Sequence, residues 1–338
     1  MKRAVLLLLS LSLLLCACGA PAAAAPRELT VFAMDTVMNL RVYGDEAALR
    51  EAQALIREIE GRLSVTDCGS EIAAVNRNGG GSVSPETAAL LRRALAICAD
   101  TNGALDVSVY PALRAWGFTL GEDAYTVPDA AALSALREKV DYRKIGLSDA
   151  AVTLAPGMEI DLGSVAKGYT GDCVAAALRA SGVDSALLDL GGNVQALGAK
   201  PDGAPWRVAV RDPAGEGYLG ILDITDGAVV TSGGYERFFV RSGATYWHIL
   251  DPATLCPARS GLVSATVVGE EGLLCDALST ALFVMGADAA ADYWRARDGF
   301  GFILLGEDGT LYLTEDLAGR FTPAGAYAAA RPVIVRKG

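Results

Sequence analysis

Histidine is almost missing from this chain: His248 is the only one in 338 residues. That excludes an H-E-x-x-H zinc site, any two-histidine metal centre and most hydrolase triads, and the G-x-S-x-G elbow of such triads is missing as well. No C-x-x-C occurs, and beyond the amino-terminal pair the cysteines are an odd set, Cys68, Cys98, Cys173, Cys256 and Cys275. A metal knot or a disulfide framework is thereby excluded, and buried thiols suited to a low-oxygen setting are expected. Basic charge is short, with 29 Lys and Arg against 40 Asp and Glu and a formal net charge of -11. Such a surface does not seek nucleic acid or anionic lipid. Two phosphate motifs fail. Lys167 precedes Gly168 and Tyr169 follows it, against the order of a P-loop, and Gly191-Gly192 does not continue as G-x-G-x-x-G. No internal repeat or low-complexity linker appears after residue 30.

The chain does carry an amino-terminal address. Lys2 and Arg3 precede the apolar run Ala4 to Leu15, which is too short to span a bilayer. The run ends Leu15-Cys16-Ala17-Cys18, which resembles a lipoprotein signal cleaved before Cys18. Residues 1–17 then read as signal peptide and residues 18–28, rich in Gly, Ala and Pro, as a lipidated tether. Residues 29–335 read as one large domain anchored at the extracytoplasmic face of the membrane.

Within that domain Leu29 to Val42 alternates as a strand, and Ala47 to Leu63 has helical spacing. Ser64 to Asn76 reads as a loop with a short helical turn. Pro85 to Ala99 reads as a helix capped by Ser84, and Asp129 to Val140 as another. Strands are expected near Trp206 to Val210, Leu219 to Ile224, Ala228 to Thr231, Phe238 to Arg241, Thr245 to Ile249 and Leu262 to Val268. Helices follow at Leu273 to Met285 and Ala289 to Arg297, with a closing hairpin at Gly301 to Leu305 and Leu311 to Leu313. Hairpins dominating the second half argue an α+β fold with a mainly antiparallel sheet flanked by helices.

The chain is organised around Met158 to Val194. A short strand ends at Asp161, and Ser164 is placed to cap a helix running to about Ser181, leaving first-turn N–H groups free to face an anion. Lys167 opposes the helix dipole there, so something negative should offset it. With the bare turn Gly191-Gly192-Asn193 this makes either a phosphate cradle or an ordinary helix on a sheet with a surface lysine. His248 ends a strand before Asp251-Pro252, and is either a satisfied structural residue or a general base beside a carboxylate. Asp276 and Thr280 share one helix face. They are either oxygen ligands for a hard cation such as Mg²⁺, or an exposed first-turn Asp and a Thr bonded to its own helix.

An ordered set of motifs then resembles the FAD:protein FMN transferases, the ApbE-like flavin transferases. The set is Met34-Asp35-Thr36, Ser70-Glu71-Ile72 with Asn76, Gly103 to Asp106, Asp161 to Tyr169, Leu190 to Asn193, Thr231 to Arg237, His248 to Pro252 and Asp276 to Thr280. The resemblance covers about residues 30 to 322. It implies a T-fold-like domain that binds FAD and Mg²⁺ and moves FMN to a Thr or Ser hydroxyl of an acceptor flavoprotein, releasing AMP. It implies that Met34, Thr66, Ala104, Leu105, Asp106, Asp161, Lys167, His248 and Ile249 line the FAD site. It places Ser164, through its carbonyl, with Asp276 and Thr280 at the metal, makes His248 the base, and leaves Asp251 to orient His248 or complete its turn. The chain departs from the family pattern at Asp35, Gly234, Leu255 and above all Thr66, where an aromatic residue is usual. A missing ring forfeits roughly 0.5 to 1.5 kcal/mol of stacking, which keeps open an FAD pyrophosphatase using water as acceptor. A non-enzymatic flavin-binding lipoprotein is the third reading.

Overall fold

The computed structural model describes residues 25–338 apart from Leu120 and Glu216. The expected signal peptide, Cys18 and most of the tether lie outside the described residues. The alternation expected to make one strand from Leu29 to Val42 changes parity in the middle: Val31 and Ala33 are buried, then Met38, Leu40 and Val42. Two strands result, β1 (Arg27–Ala33) and β2 (Thr36–Val42), paired antiparallel around Met34-Asp35. Both turn residues have left-handed backbones, φ 49° and 58°, as a two-residue hairpin turn of this twist demands.

Helix α1 (Glu46–Leu63) starts on Asp45, whose carboxylate accepts from Ala48 N–H at 2.8 Å. Helix α2 (Glu71–Asn78), longer than the turn expected, starts on Ser70. After β3 (Gly80–Ser82), α3 (Pro85–Asp100) opens on the Ser84 cap and first-turn proline that the sequence indicates. Then come α4 (Tyr110–Trp116), α5 (Ala130–Leu136), the small hairpin β4 (Gly146–Ser148) and β5 (Ala151–Thr153), and α6 (Gly163–Ala180). The second half supplies β6 (Ala186–Asp189), β7 (Asn193–Leu197), β8 (Trp206–Arg211), β9 (Tyr218–Ile224) and β10 (Gly227–Gly233). The ribbon β11 (Phe238–Arg241) and β12 (Ala244–Trp247) leads into β13 (Leu250–Asp251), β14 (Cys256–Pro257) and β15 (Leu262–Gly269). Helices α7 (Gly272–Met285) and α8 (Ala287–Arg295) precede β16 (Phe300–Gly306), β17 (Leu311–Thr314), β18 (Phe321–Pro323) and β19 (Val333–Val335).

Nine strands form the main sheet in the order β1-β2-β6-β7-β10-β15-β16-β17-β19, antiparallel except between β17 and β19. The α+β reading holds, with one refinement: helices cover one face, and β8, β9 and β18 make a second sheet over part of the other. Trp206, Leu222 and Phe321 there pack against Val229, Val268 and Ile303 of the main sheet. Among the described residues no helix is long and apolar enough to cross a membrane. No described cysteine is in a disulfide; Cys98 and Cys275 are buried as expected, whereas Cys68 is exposed.

Helices α6 and α7 approach more closely than side chains allow, because glycine faces glycine. A Cβ on Gly168 would stand 2.1 Å from the Gly272 carbonyl oxygen, and one on Gly272 would stand 2.8 Å from the Gly168 carbonyl oxygen. Polar bonds then tie the pair. Asp172 of α6 accepts from the N–H groups of Gly272 and Leu273 at 2.7 and 2.8 Å, and Asp276 of α7 accepts from Gly168 N–H at 2.8 Å. Replacing Gly168 by alanine should therefore push the helices apart and cost about 1–3 kcal/mol or more. Gly61 on α1 meets nothing within 4 Å, so Gly61→Ala should be neutral or stabilise by about 0.5–1 kcal/mol. Thermal unfolding of both variants checks the contrast, and equal midpoints would refute it.

Candidate functional site

The loop entering α6 is fixed from two sides. The Asn76 amide of α2 donates to the Ile160 carbonyl at 2.8 Å and accepts from Ile160 N–H at 2.7 Å, while Asp161 N–H donates to Val107 at 2.8 Å. Helix α6 then begins at Gly163 with Leu162 as its cap, so Ser164 is not the cap expected from the sequence. Nor are most N–H groups of the helix start free to face an anion. Gly163 N–H is held by Asp161 Oδ1 at 2.8 Å, and the N–H groups of Val165 and Ala166 by the Leu162 carbonyl. The carboxylate takes the place a phosphate would have used.

Oxygen groups that could hold a cation lie one turn further on. In a helix the carbonyl of residue i aims at the N–H of residue i+4, so the Ser164 carbonyl points at Gly168 N–H, which Asp276 Oδ2 accepts. Two oxygens thus converge on one locus. Thr280, one turn beyond Asp276, adds a hydroxyl that lies 3.2 Å from Ser232 Oγ. Asp276 is only 4% exposed, which corrects the expectation of an exposed first-turn residue: α7 is buried on nearly every face, so the dipole-favoured position faces protein. Burial pushes its carboxyl up, opposed first by the Lys167 ammonium and then by the Gly168 N–H. Lys167 thereby has the negative neighbour that its unfavourable place in the helix required. Asn193, buried beside this carboxylate, turns its amide toward Asp276 and favours the ionised form, but among the described residues neither amide atom has a partner in good hydrogen-bond geometry.

Among the described residues no group of three His, Cys, Asp or Glu side chains could hold a metal ion. One carboxylate, a hydroxyl and a helix carbonyl, with an orphaned amide alongside, nevertheless fit Mg²⁺. That ion takes few protein carboxylates and completes its shell with water and phosphate oxygens.

His248 stands between β12 and β13. Its backbone N–H donates to the Arg237 carbonyl at 3.1 Å, and its Nδ1 lies 3.3 Å from the same oxygen. A carbonyl only accepts, so Nδ1 carries the hydrogen and Nε2 keeps a lone pair. Phe118 meets the half-buried ring edge-on, centroids 6.4 Å apart. Asp251 does not orient the imidazole: its oxygens accept from Ala253 N–H at 2.9 Å and the Thr254 hydroxyl at 3.2 Å. Of the two roles open to it, it completes the turn.

The other expected residues divide. Met34 N–H is anchored by Glu60 Oε1 at 2.6 Å, and its sulfur accepts from the Thr170 hydroxyl of α6 at 3.8 Å. Ala104 and Leu105 lie on the Gly103–Asp106 loop, and Ile249 is buried beside His248. Asp106 accepts from Ser108 N–H and Oγ and from Tyr142 N–H at 2.8, 2.6 and 3.0 Å, so its carboxylate is spent on shaping that loop. Thr66 is exposed and bonds only to Ser64. The sequence assigned no role to Arg237, Asn193 or Asp172, although the first two lie inside recognised motifs.

The ring's surroundings push His248 down to about 4, first by burial, then by the Arg237 guanidinium, with Lys167 adding to it. The folded chain therefore binds this proton less readily than the unfolded one, whose ordinary value is 6.5. The stability this contributes is full above about pH 6.5 and is lost as pH falls toward 4. In the free protein the ring is therefore neutral at pH 6.5. With one histidine, proton NMR reads it directly. The imidazole C–H resonances should stay unmoved from pH 8 to 5.5, and a midpoint near 6.5 would show that burial and the neighbouring cations do not hold the ring neutral.

The model of the ApbE family matches residues 34–304. The chain is 34% identical to the FAD:protein FMN transferase of Treponema pallidum over 300 residues, 81% of this chain and 82% of the relative. It is 31% identical to that of Klebsiella pneumoniae over 299 residues, 86% of this chain and 92% of the relative. Among solved structures, the ApbE protein of Thermotoga maritima superposes with a TM-score of 0.81 at 32% identity, covering 86% of this chain and 97% of that one. The flavin transferase ApbE of Vibrio cholerae gives 0.79 at 27% identity, covering 88% and 99%.

Proposed function

The chain belongs to the ApbE family, and on that footing we propose that it is an FAD:protein FMN transferase that uses Mg²⁺, acts on a Thr or Ser hydroxyl and releases AMP. The observation that carries this is the meeting of Lys167, Asp276, Thr280 and the Ser164 carbonyl at the α6–α7 crossing, near a histidine held neutral with a free Nε2. Asp276, Thr280 and the Ser164 carbonyl would hold Mg²⁺, which when bound neutralises phosphate charge. His248 Nε2 takes the proton of the acceptor hydroxyl as its oxygen bonds to the FMN phosphorus. The P–O bond to AMP breaks, and Lys167 stabilises the charge that develops on the departing phosphate. Met34, the Ala104-Leu105 loop and Ile249 supply apolar walls for the flavin and adenine. Lipidation at Cys18 would hold the enzyme at the extracytoplasmic face of the membrane, where its acceptor would be a flavoprotein subunit.

Thr66 favours a second reading of the same site. An exposed hydroxyl where a ring would stack leaves that side open to water, and water in place of the acceptor would yield free FMN and AMP. Incubating the protein with FAD and Mg²⁺, with and without a candidate acceptor, separates the readings: transfer leaves flavin fluorescence on the acceptor in a denaturing gel, whereas hydrolysis releases FMN and AMP without one. His248→Ala should lower transfer by about 10² to 10⁴ while FAD affinity stays within a few fold. A saturated rate within about threefold of wild type would exclude the base role.

Because Asp276 is buried and accepts from Gly168 N–H, its loss should not leave the fold untouched. Asp276→Ala should abolish turnover and also cost about 1–3 kcal/mol of stability. Wild-type turnover without added Mg²⁺ in this variant would overturn the metal assignment.

A further inference from the structure

Arg237 joins two parts of the molecule. Its backbone is fixed beside His248, whose N–H and Nδ1 both meet its carbonyl. Its guanidinium reaches the β1–β2 turn, where Nη2 lies 3.5 Å from Asp35 Oδ2. That turn does not follow the arginine, because Met34 is anchored separately to Glu60 and Thr170. Asp35 itself sits at φ 58°, a left-handed conformation that glycine would adopt more easily.

We propose that Arg237 is a binding residue for the FAD diphosphate and that Asp35 is its placeholder, occupying the guanidinium in the free protein and yielding it when FAD enters. The inference rests on the transferase reading above. Three observations support it. The pair is solvated, with the Arg237 and Asp35 side chains 45% and 77% exposed, and such a pair is worth little in water and is cheaply exchanged. A diphosphate offers more charge than one carboxylate and suits the planar fork of arginine. The guanidinium also shares its surroundings with Lys167, since its charge acts on His248, Asp161 and Glu236, three groups that the charge of Lys167 reaches as well. Asp276 bears on Glu236 from α7. Arg237 and Lys167 would then hold the diphosphate between them, at the distance from His248 that the Arg237 backbone sets.

FAD affinity, measured by calorimetry on the full chain in Mg²⁺, tests this with opposite signs. Arg237→Gln should weaken FAD about 10- to 100-fold, and Arg237→Lys should fall between it and wild type. Asp35→Asn should tighten FAD by a few fold, because the competitor is gone, and should change nothing once Arg237 is already Gln. Riboflavin, which lacks phosphate, should bind Arg237→Gln as it binds wild type. An arginine that only ties the two hairpins together predicts the reverse for Asp35→Asn, namely weaker FAD and a lower unfolding midpoint. That result, or unchanged FAD affinity in Arg237→Gln, would overturn the proposal. Should Arg237→Gln fail to fold, the sign of the Asp35→Asn effect decides alone. A wild-type protein that binds no FAD would sink the transferase reading itself, an outcome distinct from any variant effect.

Discussion

Two aspartates hold the α6–α7 crossing together by each other's backbone. Asp172 takes the first N–H groups of α7, which have no partner inside their own helix, and Asp276 takes an N–H from the second turn of α6. Between them Gly168 and Gly272 let the backbones touch. Buried N–H groups and carboxylates are costly alone, and each here satisfies the other. The result is a rigid crossing whose open end carries a carboxylate, a hydroxyl, a helix carbonyl and an ammonium within one small volume. No loop is needed to place them, and sites built on packed helices are held more tightly than sites on loops.

The charges around that crossing suit the diphosphate and the cation of the proposed reaction. Lys167 and Arg237 would favour the diphosphate of the proposed reaction, and burial first, with these two charges adding to it, keeps His248 from charging. Burial raises Asp161, Asp276 and Glu236 in the absence of such partners. A dication bound to a diphosphate would relieve both sets at once, because each buried group then finds the opposite charge it lacks. The free Nε2 of His248 follows from a single backbone carbonyl, so the tautomer of the ring is set by the chain path and not by a carboxylate.

Much of this was legible in the sequence and some was not, for physical reasons. Ser84-Pro85 announced α3, and the order of short motifs announced the family. The hairpin at Met34-Asp35 was hidden because alternation continues through a two-residue turn, and only the parity of the buried positions changes. Burial of Asp276 was hidden because α7 is apolar nearly all round, which removes the contrast that marks an outer face. Ser164 reads as a cap by residue type, yet it lies inside the helix, and Asp161, two residues ahead of the start, takes Gly163 N–H. Arg237 could not be assigned from spacing, since its role comes from a loop returning beside a hairpin some 200 residues earlier in the chain.

If the crossing is what assembles the site, then a residue that touches neither metal nor substrate should still control metal binding. Asp172 is that residue: it positions the start of α7, one turn before Asp276. Calorimetric titration of Mg²⁺ into the FAD-loaded wild type and Asp172→Asn measures this directly. The account predicts that Mg²⁺ affinity falls about 10- to 100-fold in the variant, the usual effect of losing an outer support of a metal ligand. Unchanged Mg²⁺ affinity in a folded Asp172→Asn protein would contradict it, and would mean that the aspartate bonds stabilise the helices without placing the site.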